Sequence, residues 1–183
     1  MSTQLERGAA RPVLEDVGPR VEWFSVGLRV LIGWVFLSAG LGKLLGGFTA
    51  QGYLANVDPA SPLSGLYGAM AASPTAIAVV DVAVPVGQVM IGLGLITGTL
   101  LRLAAFFGAL QATAFYFGNW AMSGAYEVLM GFVTSELIYV AVFLAVAAMA
   151  AGRTYGLDAY IERYEVDGEP LVEKYPRLRY VLG

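Results

Sequence analysis

The chain contains no cysteine and no histidine. It can form no disulfide and run no thiol–disulfide exchange. The commonest ligands of haem and zinc are missing with them, so no haem, zinc or iron–sulfur cluster is expected in this chain and no metal site is assigned. Imidazole triads and proton shuttles are excluded as well, which leaves carboxylates, lysine and tyrosine as proton carriers. Charge is also scarce. Asp, Glu, Lys and Arg make up 14% of the 183 residues, about half the share in a soluble globular domain. The net charge of -3 offers no footprint for nucleic acid, and neither a Walker-type loop nor a GxGxxG turn is present.

What remains is apolar: 57% of the residues are hydrophobic. Four apolar stretches are each long enough, at 1.5 Å per residue, to cross a hydrocarbon core of about 30 Å. The expected fold is all-α, an integral membrane four-helix bundle with spans over about residues 23–45, 75–97, 100–122 and 127–151. Residues 1–22 read as a polar tail in which Gly8, Pro12, Gly18 and Pro19 interrupt any long helix. The transmembrane domain is then 23–151, with a second tail over 152–183. Since the first apolar run begins late and has full span length, it reads as a retained span and not a cleaved signal.

Two links, around Gly98–Thr99 and over Ser123–Tyr126, are so short that the helices they join must be antiparallel neighbours. The remaining link, 46–74, is too long for a turn. Ser61 and Pro62 give a helix-start signal there, followed by Leu63, Leu66, Tyr67 and Met70 at helical spacing. This predicts a short amphipathic surface helix in the first outer loop. Behind Asp158, Leu157, Tyr160, Ile161 and Tyr164 predict another after the last span, with Glu165–Gly183 partly extended. Trp23, Trp120 and Tyr126 are expected as interfacial anchors.

Lys and Arg counts set the orientation. Arg7, Arg11, Arg20, Arg102, Arg153, Arg163, Lys174, Arg177 and Arg179 share one side against Lys43 on the other. Both termini are therefore expected in the cytoplasm of a multi-pass plasma-membrane protein. Nine Arg against two Lys, with ten of fourteen acidic residues in the tails, suit the high-salt cytoplasm of an archaeal halophile; a GC-rich genome would give the same Arg bias.

An ionisable side chain in hydrocarbon costs at least about 2.5 kcal/mol, so each one needs a partner, a wet cavity or a task. Arg29, Gly33, Phe36, Gly40 and Lys43 fall at steps of four and three along one seam of the first span. Asp81, Pro85, Gln88 and Gly92 do the same on the second. Gly33, Gly40 and Gly92 would allow close helix packing, and Pro85 a kink. Rise per residue sorts the polar side chains into an inner layer of Arg29, Gln88 and Gln111 and an outer layer of Lys43, Asp81 and Glu136. These layers read either as interhelical glue or as a site for a polar-headed amphiphile such as a quinone. In the second case Arg29, Lys43, Gln88 and Gln111 are the binding candidates, for quinone or an anion, and Glu136 and Asp81 the candidate proton carriers. The aromatic run Phe106, Phe107, Phe115, Tyr116, Phe117 and Trp120 is either lipid-facing surface or a wall for a quinone ring.

In this order and spacing the residues resemble the DoxX/DoxD family of four-helix membrane proteins. The marks are Arg29, Gly33, Phe36, Gly40 and Lys43, then Pro85 to Gly92 leading to Gly98 and Arg102, and finally Ala151-Gly152-Arg153 with Gly156-Leu157-Asp158. The resemblance implies a quinone-linked subunit of a membrane oxidoreductase complex, such as a thiosulfate:quinone oxidoreductase, with membrane or cytoplasmic partner subunits. Relatives commonly carry Glu where Gln88 stands, so this chain keeps hydrogen bonding there without a titratable group. Two alternatives stay open: a non-catalytic anchor for a cytoplasmic enzyme, and a small-solute or ion transporter. A homo-oligomer is compatible with each.

Overall fold

The computed structural model describes residues 17–122 and 131–183. Residues 1–16, the expected link 123–126 with Tyr126, and the expected start of the fourth span at 127–130 lie outside them. The chain is mostly helical. Helix α1 runs Val17–Gly46, α2 Gln51–Ala55, α3 Ser64–Ala71, α4 Pro74–Thr97, α5 Leu101–Gly118, α6 Ser135–Ala148, α7 Asp158–Arg163 and α8 Leu171–Lys174. One small hairpin departs from an all-α chain: β1 (Glu165–Val166) pairs antiparallel with β2 (Glu169–Pro170) across Asp167 and Gly168, both at positive φ.

The long helices start and stop where backbone chemistry dictates. Helix α1 begins at Val17 and runs through Gly18 and Pro19, which were expected to break it. A proline in the first turn is tolerated because that N–H has no intrahelical acceptor. The helix ends at left-handed Gly47, where the Phe48 N–H returns to the Lys43 carbonyl at 3.2 Å. Helix α4 opens on Ser73, whose hydroxyl accepts from Ala76 N, with Pro74 in its first turn. It closes on left-handed Gly98, with Thr99 N donating to Gly94 O at 2.9 Å.

Helix α6 differs most from expectation. Instead of running 127–151, it covers 14 residues, about 21 Å, because Thr134 is extended and Ala150 turns left-handed. Helix α5 stops at Gly118, short of the expected 122. Two helices, Arg20–Gly46 and Pro74–Thr97, are long and apolar enough to cross a membrane, and Ser135–Ala148 is a shorter apolar helix.

Helix α1 packs along α4 and touches α6, while α5 packs along α6 and touches α4, so the four longest helices close a ring. Ile32, Phe36, Ile91, Leu95, Leu101, Phe143 and Val146 form the core inside it. Glycines set the spacing. A Cβ on Gly92 would lie 2.6 Å from Leu37 N, and one on Gly33 3.1 Å from Gly92 O, so the α1 and α4 backbones touch. A Cβ on Gly108 would collide with the Phe143 ring, which instead packs edge-on to Phe36 at 4.9 Å.

A second, smaller core of Ala50, Leu54 and Tyr67 covers one end of the ring. Its hydroxyls take up carbonyls in the last turns of α5, some of which have no intrahelical donor: Tyr67 donates to Ala114 O at 2.7 Å, Ser61 to Phe117 O at 2.7 Å and Tyr53 to Phe115 O at 3.5 Å. Of the apolar face expected on α3, Tyr67 is buried, Leu63 and Met70 pack on this core, and Leu66 is exposed.

Candidate functional site

Arg29 and Lys43 sit at opposite ends of the α1 seam and have different surroundings. Arg29 is 3% exposed. Its Nη1 donates to Ala151 O at 2.5 Å and Thr154 O at 2.9 Å, and its Nη2 to Tyr155 O at 2.9 Å. Side chains on Gly98 or Gly156 would come within 2.7 Å of Nη1, so two glycines form a slot for the guanidinium. The group is engaged with backbone and lines neither of the cavities described below. It shares no hydrogen bond with Gln88 or Gln111, so the inner layer does not assemble as expected.

Asp158 works beside it. Read from sequence as the start of a surface helix, it is fully buried and faces inward. Its carboxylate accepts from Leu100 N at 2.7 Å, Leu101 N at 2.9 Å and Gly183 N at 3.0 Å. It therefore caps α5 from 57 residues away and ties down the segment that ends in buried Leu182. Leu157, Tyr160 and Tyr164, the expected apolar face of α7, are exposed. Trp23 stacks on Tyr155 at 5.0 Å, and Arg102 donates to Arg179 O at 2.7 Å. Farther out, Arg153 pairs with Glu162, which raises the arginine pKa, and Lys174 pairs with Asp167.

At the other end, Lys43 Nζ donates to Gln88 Oε1 at 3.0 Å and lies 5.7 Å from the Phe48 ring centroid. This pairing crosses the two expected layers, and it depends on a glycine. A Cβ on Gly40 would sit 2.8 Å from Pro85 O and 2.9 Å from Gln88 Cβ, so only a bare α1 backbone lets α4 approach closely enough. No carboxylate among the described residues lies within 4 Å of Lys43. The ammonium borders a cavity of about 400 Å³ walled by Phe48, Tyr53, Tyr67, Phe115 and Asn119. Burial raises the phenol pKa of both tyrosines.

The two candidate proton carriers flank this cavity without contacting Lys43. Asp81 accepts from Ala50 N at 2.6 Å and Thr49 Oγ1 at 3.4 Å, which anchors the turn into α2. Glu136 accepts from Asn119 Nδ2 at 2.8 Å and Ser135 Oγ at 3.2 Å. Asn119 is thus the link between Glu136 and the cavity wall. Sequence reading missed Tyr53, Tyr67 and Asn119; only the helical spacing around Tyr67 pointed there. The α5 aromatics divide as well: Phe115 walls the cavity, Phe117 stacks on Trp120 at 6.0 Å, and Phe106 and Phe107 are exposed. Gln111 donates to Val84 O at 3.4 Å, away from the Lys43 pair.

The described residues form a closely packed set of apolar helices, two of them long and apolar enough to cross a membrane, which is the character of a helical membrane protein. The sequence profile of the DoxX family matches residues 24–120, and the chain belongs to that family. No curated protein and no solved structure matches the chain.

Proposed function

We propose that this DoxX family membrane protein is a quinone-interacting subunit of a membrane oxidoreductase complex. On this reading α1, α4, α5 and α6 form the membrane bundle, α6 covering about 21 Å of a core of about 30 Å, with both tails cytoplasmic and the Lys43 end outward. One observation carries the reading: Lys43 stands at a mostly apolar cavity with an amide as its hydrogen-bond acceptor and, among the described residues, no carboxylate to neutralise it. An ammonium has three donors and Gln88 takes one, which leaves donors for a carbonyl oxygen in the cavity. The aromatic walls fit a planar ring.

A bound quinone supplies two-electron, two-proton chemistry. The chain's part is to bind and orient the head group at Lys43 Nζ, to exclude water with the Tyr53 and Tyr67 roof, and to offer Glu136, held beside the cavity by Asn119, as the proton carrier. Asp81 holds the roof in place. Arg29 serves the fold. Thiosulfate is one donor such a complex could take. The test is mild-detergent purification followed by mass spectrometry of bound lipids. Wild type retains quinone and Lys43→Met loses most of it with its thermal stability intact; a wild-type protein that retains none refutes the reading.

The anchor reading draws on a separate observation, the exposed Tyr160, Tyr164 and Tyr180 of the C-terminal segment. Deleting residues 165–183 would also remove buried Leu182, so Tyr160→Ala with Tyr164→Ala is the cleaner test. Loss of a copurifying cytoplasmic enzyme with quinone retention unchanged would favour that role.

A further inference from the structure

Helices α4 and α5 part to leave a groove of about 600 Å³, on the far side of the Gln111–Val84 hydrogen bond from the Lys43 cavity. Gly87 leaves space on α4, Gly94 and Ala104 close the floor where a Cβ on Gly94 would lie 3.0 Å from Ala104 Cβ, and Met90, Leu93 and Phe107, all exposed, form the rims. Among the described residues the lining carries no charge. Two of its polar side chains are already engaged, since the Thr97 hydroxyl donates to Leu93 O at 2.7 Å and pairs with Thr99 Oγ1 at 2.9 Å.

Gln111 is different. Val84 O can only accept, so the amide atom facing it must be the nitrogen. The other atom, Oε1, is buried and has no hydrogen-bond partner among the described residues. An unpartnered acceptor in apolar surroundings costs free energy that a donor would recover. Water is a poor donor here because it needs two or more polar partners and the groove offers one. A cation would need a carboxylate, and none of the described lining residues supplies one. Gln111 lines the groove, and its terminal amide torsion has a broad minimum, so turning Oε1 toward the groove trades the long 3.4 Å contact with Val84 O for a donor there.

We propose that the α4–α5 groove binds a hydrocarbon-tailed molecule bearing a hydroxyl, whose O–H donates to Gln111 Oε1 while its chain lies between Phe107 and the Met90–Leu93 rim. This site adjoins the Lys43 cavity at Ala114, which lines both, and does not depend on the quinone reading. A hydroquinone and a long-chain alcohol share this chemistry.

The chain's lack of cysteine makes a single introduced thiol a clean reporter. Leu103→Cys, on the groove lining, is labelled with N-ethylmaleimide in nanodiscs, anaerobically, with decylubiquinol, decylubiquinone, dodecanol or dodecyl methyl ether. Decylubiquinol or dodecanol slows labelling at least three-fold, whereas decylubiquinone and the ether do not. Protection by the quinol alone identifies a hydroquinone site, and protection by dodecanol alone or by both a general hydroxyl site; each upholds the proposal. Protection disappears in Gln111→Leu, with Gln111→Met as the shape-matched second variant, each checked by an unchanged melting temperature. Equal protection by the ether, protection by neither hydroxyl probe, or protection that survives both Gln111 variants overturns it. The same pattern in a Lys43→Met background separates this site from the quinone cavity.

Discussion

Asp158 and Leu101 lie 57 residues apart in sequence and 2.9 Å apart in space, the carboxylate of one accepting the backbone N–H that opens the helix of the other. The same carboxylate takes the N–H groups of Leu100 and Gly183. Asp158→Ala leaves three N–H groups unpaired beside a core and should cost at least about 3 kcal/mol. Thermal or SDS unfolding in detergent measures the loss, with faster proteolysis of residues 159–183 as a second readout.

Arg29 and Lys43 should separate stability from ligand binding. Arg29→Met orphans three carbonyl contacts and is expected to destabilise by roughly 3 kcal/mol. Lys43→Met removes one hydrogen bond to a side chain and should change stability by about 1 kcal/mol or less while reducing quinone retention several-fold. Equal losses of quinone per folded molecule in the two variants would assign both residues to packing.

The α1–α4 contact predicts opposite outcomes at two glycines of similar sequence context. Gly92→Ala places a methyl 2.6 Å from Leu37 N, which is backbone and cannot yield, so a loss of about 1–3 kcal/mol is expected. Gly27→Ala meets nothing within 4 Å and should be neutral or stabilise by up to about 1 kcal/mol through helix propensity. Melting temperatures of the pair decide.

Left-handed backbone gives a second pair. Ala150 adopts φ 48° just past α6, where a Cβ is strained by roughly 1–2 kcal/mol, so Ala150→Gly should raise the melting temperature. Gly98→Ala should lower it, since φ is +66° and the new Cβ would lie 2.7 Å from Arg29 Nη1.

Tyr53 supplies a pH dependence. Burial, then the neighbouring Tyr67 and Glu136, raise its phenol pKa above the unfolded value of about 10. The folded chain holds this proton more tightly than the unfolded one. The contribution is therefore complete below about pH 10 and is lost as pH rises through the folded value. Tyrosinate absorbance should show a late-titrating phenol that is absent in Tyr53→Phe, and Tyr53→Phe should unfold at a higher alkaline midpoint than wild type.

Much of the helical scaffold was legible from pattern alone. The seam of Arg29, Gly33, Phe36 and Gly40 is buried along its length, because a period near 3.6 with small residues marks the face a neighbour must cover. The expected span 75–97 nearly coincides with α4, where Ser73, Pro74 and Gly98 punctuate the helix. Expectation failed where an apolar run masked a break: α6 begins at Ser135, and neither Phe132 nor Val133 signals non-helical backbone by composition.

The candidate site was legible only as a list of residue types. Depth along ideal helices put Lys43 with Asp81 and Glu136, yet Lys43 meets Gln88, since the axial offset of α1 against α4 is set by the Gly40–Pro85 contact and not by the bilayer. Arg29 looked like a ligand group because its acceptors are carbonyls of residues 151–155, and a carbonyl belongs to every residue alike.

The amino-acid order by itself determined that the chain is helical, membrane-embedded in character, free of cysteine and histidine chemistry, and supplied with a cation at each end of the Arg29–Lys43 seam of its first helix. Those properties are local, set by side-chain transfer free energies and a fixed helical period. Tertiary structure alone decided which cation is consumed by backbone and which is left to a cavity. That choice rests on offsets of an ångström or two between packed helices and on hydrogen bonds spanning more than a hundred residues, neither of which leaves a trace in composition or spacing.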